Sequence, residues 1–227
     1  MVTALAPFDR DVSHAGTAAM APRKNPLEPI PSEWLPAGLD LATARISGAD
    51  EVGRGALVGP LVLAACILPD GWTPVGLRDS KQMTPEARER VARELLAKAE
   101  VWIEEVPPAL IDRIGIGKAN EVGFARLIER AKADFSLIDG TLKVPTEHPF
   151  ISITKGERFA PVAAASVVAK WYRDTLMAAM AQVYPDRGFE DSGYPTPRNI
   201  EVIRRFGRTP WHRQTFRIAS LGEKDAG

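Results

Sequence analysis

The segment Arg45-Ile46-Ser47-Gly48-Ala49-Asp50-Glu51-Val52-Gly53-Arg54-Gly55 runs from a strand into a glycine-rich turn, with two adjacent carboxylates at the junction. Arg45 to Ala49 has the short, β-rich character of a strand, and the almost continuous apolar run from Ala56 to Leu68 predicts a second, mostly buried one. That run is too short for a membrane span and is interrupted by Gly59 and Pro60. Gly53, Gly55 and Gly59 come close to a dinucleotide-binding fingerprint. The third glycine is one place late, however, and a strand follows where a helix is required. What survives is an arginine between two glycines. Such a backbone can approach a ligand closely with a guanidinium beside it, which suits a sugar-phosphate.

Downstream, Thr84-Pro85 reads as N-cap and first position of a helix, with Glu86 in its first turn, continuing towards Lys98. Val101 to Val106 reads as a strand and Asn120 to Ala133 as a helix with Val122, Phe124, Leu127 and Ile128 on its apolar side. Phe135 to Ile138 and Phe150 to Thr154 are short β-rich runs. Pro161 to Tyr184 is a long Ala-rich helix whose first half is too apolar to face water. Thr196-Pro197 opens a last helix that Gly207 closes. Two strands, helix, strand, helix, two strands and two helices predict an α/β layer architecture with a mixed sheet.

Residues 1–44, rich in Ala and Pro and without periodicity, read as a flexible or surface-laid N-terminal extension. Residues 45–220 then form one compact domain whose C-terminal helical part spans about 185–220, and 221–227 form a tail. The N-terminus lacks the pattern of a secretory signal. Cys66 is the only cysteine, which excludes an internal disulfide, fits a reducing cytoplasm and predicts a buried thiol. With 29 basic and 29 acidic residues there is no net attraction to polyanions, so binding nucleic acid requires segregated charge.

The candidate chemistry is acidic. Asp50 and Glu51 end the first strand, Asp139 follows the Phe135 to Ile138 strand and precedes Gly140, and Glu157 follows Lys155-Gly156 after the next strand. Each alone is most often a turn residue. Carboxylates at several strand ends are also what a metal cluster at one end of a sheet requires, because they repel one another unless cations neutralise them. Oxygen donors of this kind suit Mg²⁺. Between Arg198 and Arg217 lie Arg198, Arg204, Arg205, Arg208, Arg213 and Arg217, opposed only by Glu201, with Trp211, His212 and Phe216 among them. That segment is either a solvated helix face or a phosphate-contact surface. His212 lacks the paired spacing of a zinc site, which leaves it a structural or phosphate-contact role.

Taken in order, these segments resemble the type 2 ribonucleases H, most closely the bacterial ribonuclease HII branch. The matching blocks are Gly48 to Gly55 with Gly59-Pro60, Asp79-Ser80-Lys81 with Gln82-Met83-Thr84, and Ile138-Asp139-Gly140. They continue through Lys155-Gly156-Glu157 with Ala163 to Lys170 and Arg173-Asp174, then Gly193 to Thr196, and His212 to Phe216. The resemblance implies a ribonuclease H-like fold, a mixed central sheet flanked by helices with a C-terminal helical segment.

It also implies an endoribonuclease that hydrolyses the RNA strand of RNA/DNA hybrids. Such an enzyme cuts 5′ of single ribonucleotides embedded in duplex DNA, as in ribonucleotide excision repair. Asp50, Glu51, Asp139 and Glu157 would be the catalytic residues and would hold two Mg²⁺ or Mn²⁺ ions. Gly53, Arg54, Gly55, Ser80, Lys81, Tyr194 and Arg213 would bind substrate, with Tyr194 stacking on the deoxyribose that follows the ribonucleotide. A cytoplasmic monomer with no membrane partner is implied, and Asp174 is expected to be structural.

The sequence departs from the family pattern at Glu157, where this branch usually has Asp, at Asn199, often His, and at Thr141, where Asn is common. The Gly115-Ile116-Gly117 stretch is looser than usual. Two readings compete with the enzyme: a catalytically silent hybrid-binding module, and a DNA endonuclease of the same broad fold.

Overall fold

The structure, a computed structural model, describes residues 27–189 and 191–222. Most of the extension (1–26) and of the tail (223–227) lies outside the described residues. The sheet is mixed and five-stranded, in the order β3-β2-β1-β4-β5. β1 (Ile46–Val52) is central. It pairs antiparallel with β2 (Leu61–Ile67), which pairs antiparallel with β3 (Glu100–Val106). On its other side β1 runs parallel to β4 (Phe135–Asp139), and β4 parallel to β5 (Phe150–Ile153).

Every residue of β2 is buried, because both faces of the sheet are covered. Leu61, Leu63 and Ala65 pack with Phe124, Leu127 and Ile128 of α3 (Ile116–Ala131). Val62, Ala64 and Cys66 pack on the opposite face with α1 (Pro85–Lys98) and α4 (Ala160–Val183). This two-residue alternation between helical layers follows from the strand's pleat. Burial pushes the Cys66 thiol well above its ordinary range, so it behaves as a small apolar side chain.

α4 supplies small residues to the sheet. Val162 to Ala165 and Val167 to Ala169 are buried, and the helix backbone lies almost on β1. A Cβ placed on Gly48 would stand 2.1 Å from Pro161 C and from Val162 N. Only glycine allows this approach, which fixes α4 against the strand that carries Asp50 and Glu51. Thr84 caps α1 as expected, its hydroxyl accepting from Ala87 N–H, and Thr196 does the same for Asn199 N–H at the start of α5 (Pro197–Phe206).

Several elements differ from the sequence reading. β1 extends through Val52, past the run Arg45 to Ala49, and contains Asp50 and Glu51. Ala56 to Pro60 is a buried loop, with Val58 bridged to His212, and β2 starts only at Leu61. A short helix, α2 (Pro108–Ile114), precedes α3, which starts at Ile116 and not at Asn120. Gly115, at φ +80°, breaks the two apart, a conformation that L side chains rarely adopt.

Of the two readings of the extension, flexible or surface-laid, residues 27–44 follow the second and lie on the domain. Ile30, Trp34, Leu35 and Leu39 pack against Ile46, Phe135, Leu137, Phe159 and Val162. The apolar side chains between the prolines have a surface to bury against, which a search for periodicity does not detect. Among the described residues no helix is long and apolar enough to cross a membrane.

Candidate active site

Because β1, β4 and β5 are parallel, their carboxyl ends open on the same edge of the sheet, where ligands of open α/β sheets are bound. Asp50 and Glu51 lie at that end of β1, Asp139 ends β4, and Glu157 sits in the 3₁₀ turn Gly156–Arg158 after β5. The register sets Ala49 against Ile138, so the next residues, Asp50 and Asp139, are neighbours on adjacent strands about 4.8 Å apart and on the same face. Asp139 Oδ1 accepts a 2.6 Å hydrogen bond from Gly156 N–H, tying the Glu157 turn to the end of β4.

The electrostatics are those of an anionic cluster. Burial, then the like charges of Glu51 and Asp139, push the Asp50 carboxyl up to about 7. Hydrogen bonds from Ser166 and from Glu51 N–H act in the opposite direction without prevailing. Glu51 is also raised, by burial and by Asp139, against the pull of Arg54 and Lys81. Such carboxylates ionise readily only beside a cation, and an oxygen-only donor set suits a hard divalent ion, so these residues fit one. Among the described residues no three His, Cys, Asp or Glu side chains stand in a ready-made coordinating set.

Beside the acids, the Gly53-Arg54-Gly55 turn is held from below by two buried arginines. Arg173, on α4, is 0% exposed and donates to the carbonyls of Val58, Pro60 and Ser192. Arg213, also 0% exposed, donates to the carbonyls of Arg54 and Gly59. Gly53 is at φ +91°, and a Cβ there would meet Arg173 Nε at 2.4 Å, so the turn sits directly on this guanidinium. The loop of Tyr194 is fastened to the same place. Leu57 N–H donates to the Gly193 carbonyl, and the Arg173 guanidinium lies 5.6 Å from the centre of the Tyr194 ring. The exposed Arg54 reaches back to Glu51 at 3.6 Å, so the turn and the acids form one surface.

A family model described as ribonuclease HII matches residues 47–219, which contain all of these groups. The chain belongs to the ribonuclease HII family. It is 40% identical over 193 residues to the ribonuclease HII of Pelodictyon phaeoclathratiforme, covering 80% of this chain and 94% of that one. Among solved structures it is similar to the RNase HII of the Archaeoglobus fulgidus PCNA:RNase HII complex. The TM-score there is 0.68 and the identity 25%, covering 77% of this chain and 96% of that one. It shares its fold with Bst-RNase HIII, solved in complex with Mn²⁺, at TM-score 0.62 and 21% identity, covering 78% and 68% of the two chains.

Two residues expected to contact substrate, Ser80 and Arg213, are buried. Ser80 is 3% exposed, and its hydroxyl lies 2.9 Å from that of Ser166, the residue that bonds Asp50. Its hydroxyl therefore faces Ser166 inside the fold and not solvent. Arg213 is likewise buried, and its guanidinium donates three hydrogen bonds to the carbonyls of Arg54 and Gly59, which holds the turn. Lys81 is exposed and close enough to Glu51 for its charge to be felt there.

The arginine-rich C-terminal segment is not one free basic face. Arg204 pairs with Glu201, and Arg208 donates to the carbonyls of Arg213 and Phe216 at 2.7 Å. Arg198 and Arg205 are exposed, near the outward-facing Phe206. His212 is buried, its Nδ1 accepts from Thr209 N–H, and burial beside Arg208 and Arg187 pulls it down to about 4, a neutral structural group.

Sequence reading missed Ser166, Gly156 and Arg173 as parts of the site. Ser166 acts through its hydroxyl, Gly156 through its N–H and Arg173 through backbone carbonyls, so none follows from residue type alone. Asp174, on α4, ties that helix to α1 and to the loop of Ser192, accepting from Arg88, Lys170 and Ser192.

Proposed function

We propose that this ribonuclease HII hydrolyses the RNA strand of RNA/DNA hybrids and cuts on the 5′ side of single ribonucleotides in duplex DNA, leaving 3′-hydroxyl and 5′-phosphate ends. Asp50, Glu51, Asp139 and Glu157 would hold the divalent ions. Two Mg²⁺ or Mn²⁺ ions, when bound, would supply a water of lowered pKa and neutralise charge on the leaving oxygen. The observation that carries the reading is the adjacency of Asp50 and Asp139, with Glu51 beside them, next to a turn, exposed at Arg54 and Gly55, that rests on buried guanidinium groups.

The chain's own residues do the positioning. Asp50, bonded by its neighbour's N–H, and Asp139, bonded by Gly156, would offer oxygens to an ion from adjacent strands. The Gly53-Arg54-Gly55 backbone would meet the ribose 2′-hydroxyl, which is the group that distinguishes RNA from DNA. Tyr194 would stack on the following deoxyribose, and Lys81 would hold a backbone phosphate. Water attacks the phosphorus and the bond to the 3′-oxygen breaks, with the proton delivered to that oxygen.

The test is cleavage of a labelled DNA duplex with one ribonucleotide, beside an all-DNA control, in Mg²⁺ and separately in Mn²⁺. A cut immediately 5′ of the ribonucleotide and none in the control is expected. Binding without cleavage in either ion would favour a silent hybrid-binding module, and cleavage of the control a DNA endonuclease.

A further inference from the structure

The segment 27–44 precedes the residues matched by the family model and touches the turn that carries Glu157, one of the departures from the family pattern. Glu28 N–H donates to the Arg158 carbonyl at 2.8 Å, and Glu28 forms a parallel bridge with Phe159. The Glu28 carboxylate lies 3.2 Å from Arg158 Nε. Trp34 sets its edge against the Phe159 ring, with centroids 5.3 Å apart at 71°, and Phe159 is buried at the start of α4. Ile30, Leu35 and Leu39 complete this cluster.

Glu157 therefore sits between two anchors. On one side Gly156 N–H is bound to Asp139; on the other, Arg158 and Phe159 are bound to the segment 27–44. The turn also starts from Lys155 at φ +59°, a left-handed conformation that a non-glycine residue holds only when its surroundings impose it. Glu carries one more rotatable bond than Asp, so the reach of its carboxylate depends more on how firmly the backbone beneath is held.

We propose that residues 27–44 are a strap that positions Glu157 and thereby strengthens divalent-ion binding at the acidic site; this rests on the assignment of Glu157 as an ion ligand. Leu27 to Ala44 thus act at a distance from the substrate, through the backbone of the 156–159 turn. Supports of this kind around a metal ligand typically change affinity by roughly 10–100-fold.

The test is calorimetric titration of the metal-free full-length protein with Mn²⁺, which needs no turnover. Glu28→Pro removes both the N–H and the carboxylate of residue 28, and Trp34→Ala removes the ring against Phe159. Each should weaken Mn²⁺ binding by about tenfold. In a Glu157→Ala background the same changes should have no further effect on Mn²⁺ affinity, whereas any loss of thermal stability should persist in both backgrounds.

Parent-like Mn²⁺ affinity in folded Glu28→Pro protein overturns the strap, as does equal weakening with and without Glu157. If Glu157→Ala alone leaves Mn²⁺ binding intact, the ligand assignment fails, and the strap with it. Should Trp34→Ala not fold, Glu28→Pro, at an exposed position, carries the same test.

Discussion

Replacing Asp50 by Asn should stabilise the metal-free protein at neutral pH while abolishing cleavage. The Asp50 carboxyl rises from 3.8 to about 7 in the fold, through burial and through Glu51 and Asp139. A carboxyl with a native pKa above its unfolded one binds its proton more tightly in the native state. Its full contribution to stability is therefore present below about pH 4 and is lost as pH rises to about 7. A shift of roughly 3 units at 1.36 kcal/mol each sets an upper limit of about 4 kcal/mol.

Asn keeps the shape but accepts more weakly from Ser166 and Glu51 N–H, so about 2 kcal/mol is the net gain expected at pH 7.5. For a chain of this size that raises Tm by about 4–8 °C. The assay is thermal unfolding in EDTA from pH 4 to 8, followed by circular dichroism. The difference between Asp50→Asn and the parent should be small at pH 4 and grow towards pH 7.5. Added Mn²⁺ should stabilise the parent and not the variant. An Asp50→Asn Tm at or below the parent's at pH 7.5 in EDTA would refute the reasoning, because the carboxylate would then carry no electrostatic strain.

Asp139→Asn should lower turnover in Mg²⁺ by more than about a hundredfold while retaining hybrid binding, read by single-turnover cleavage beside a filter-binding assay. Gly48→Ala should be destabilised by about 3 kcal/mol or more, or fail to accumulate as folded protein, because its Cβ meets the backbone of α4; denaturant unfolding reads this. Arg213→Met should leave the Arg54 and Gly59 carbonyls without their donor and lose about 2–3 kcal/mol of stability, with a matching fall in the urea midpoint. Tyr194→Ala should reduce cleavage at a single embedded ribonucleotide more than cleavage of a long hybrid, measured as a ratio of kcat/KM values.

Local chemistry made much of the molecule legible. The Thr84-Pro85 and Thr196-Pro197 pairs mark helix starts because capping depends on neighbouring residues, and both are found capped as read. The apolar first half of α4 and the full burial of Cys66 follow equally from residue type. The sequence reading stopped short where a residue's role depends on partners far along the chain. The apolar run before Leu61 looks like strand, yet Val58 and Gly59 form a loop, because Arg173 and Arg213, more than a hundred positions away, take up their carbonyls.

The kinds of group at the acidic edge, and their order along the chain, were determined by the sequence alone: carboxylates after three strands and an arginine between glycines. Only the tertiary structure decided which of them meet. Register sets Asp50 beside Asp139, and a hydrogen bond ties the Glu157 turn to Asp139. Burial places Ser80 against Ser166 and Arg213 beneath the Gly53-Arg54-Gly55 turn. Residues 27–44, with no periodicity to announce them, find their place against Phe159. The physical reason is the same in each case: side-chain chemistry is a local property, whereas strand register, burial and saturation of backbone carbonyls are set by segments distant in the chain.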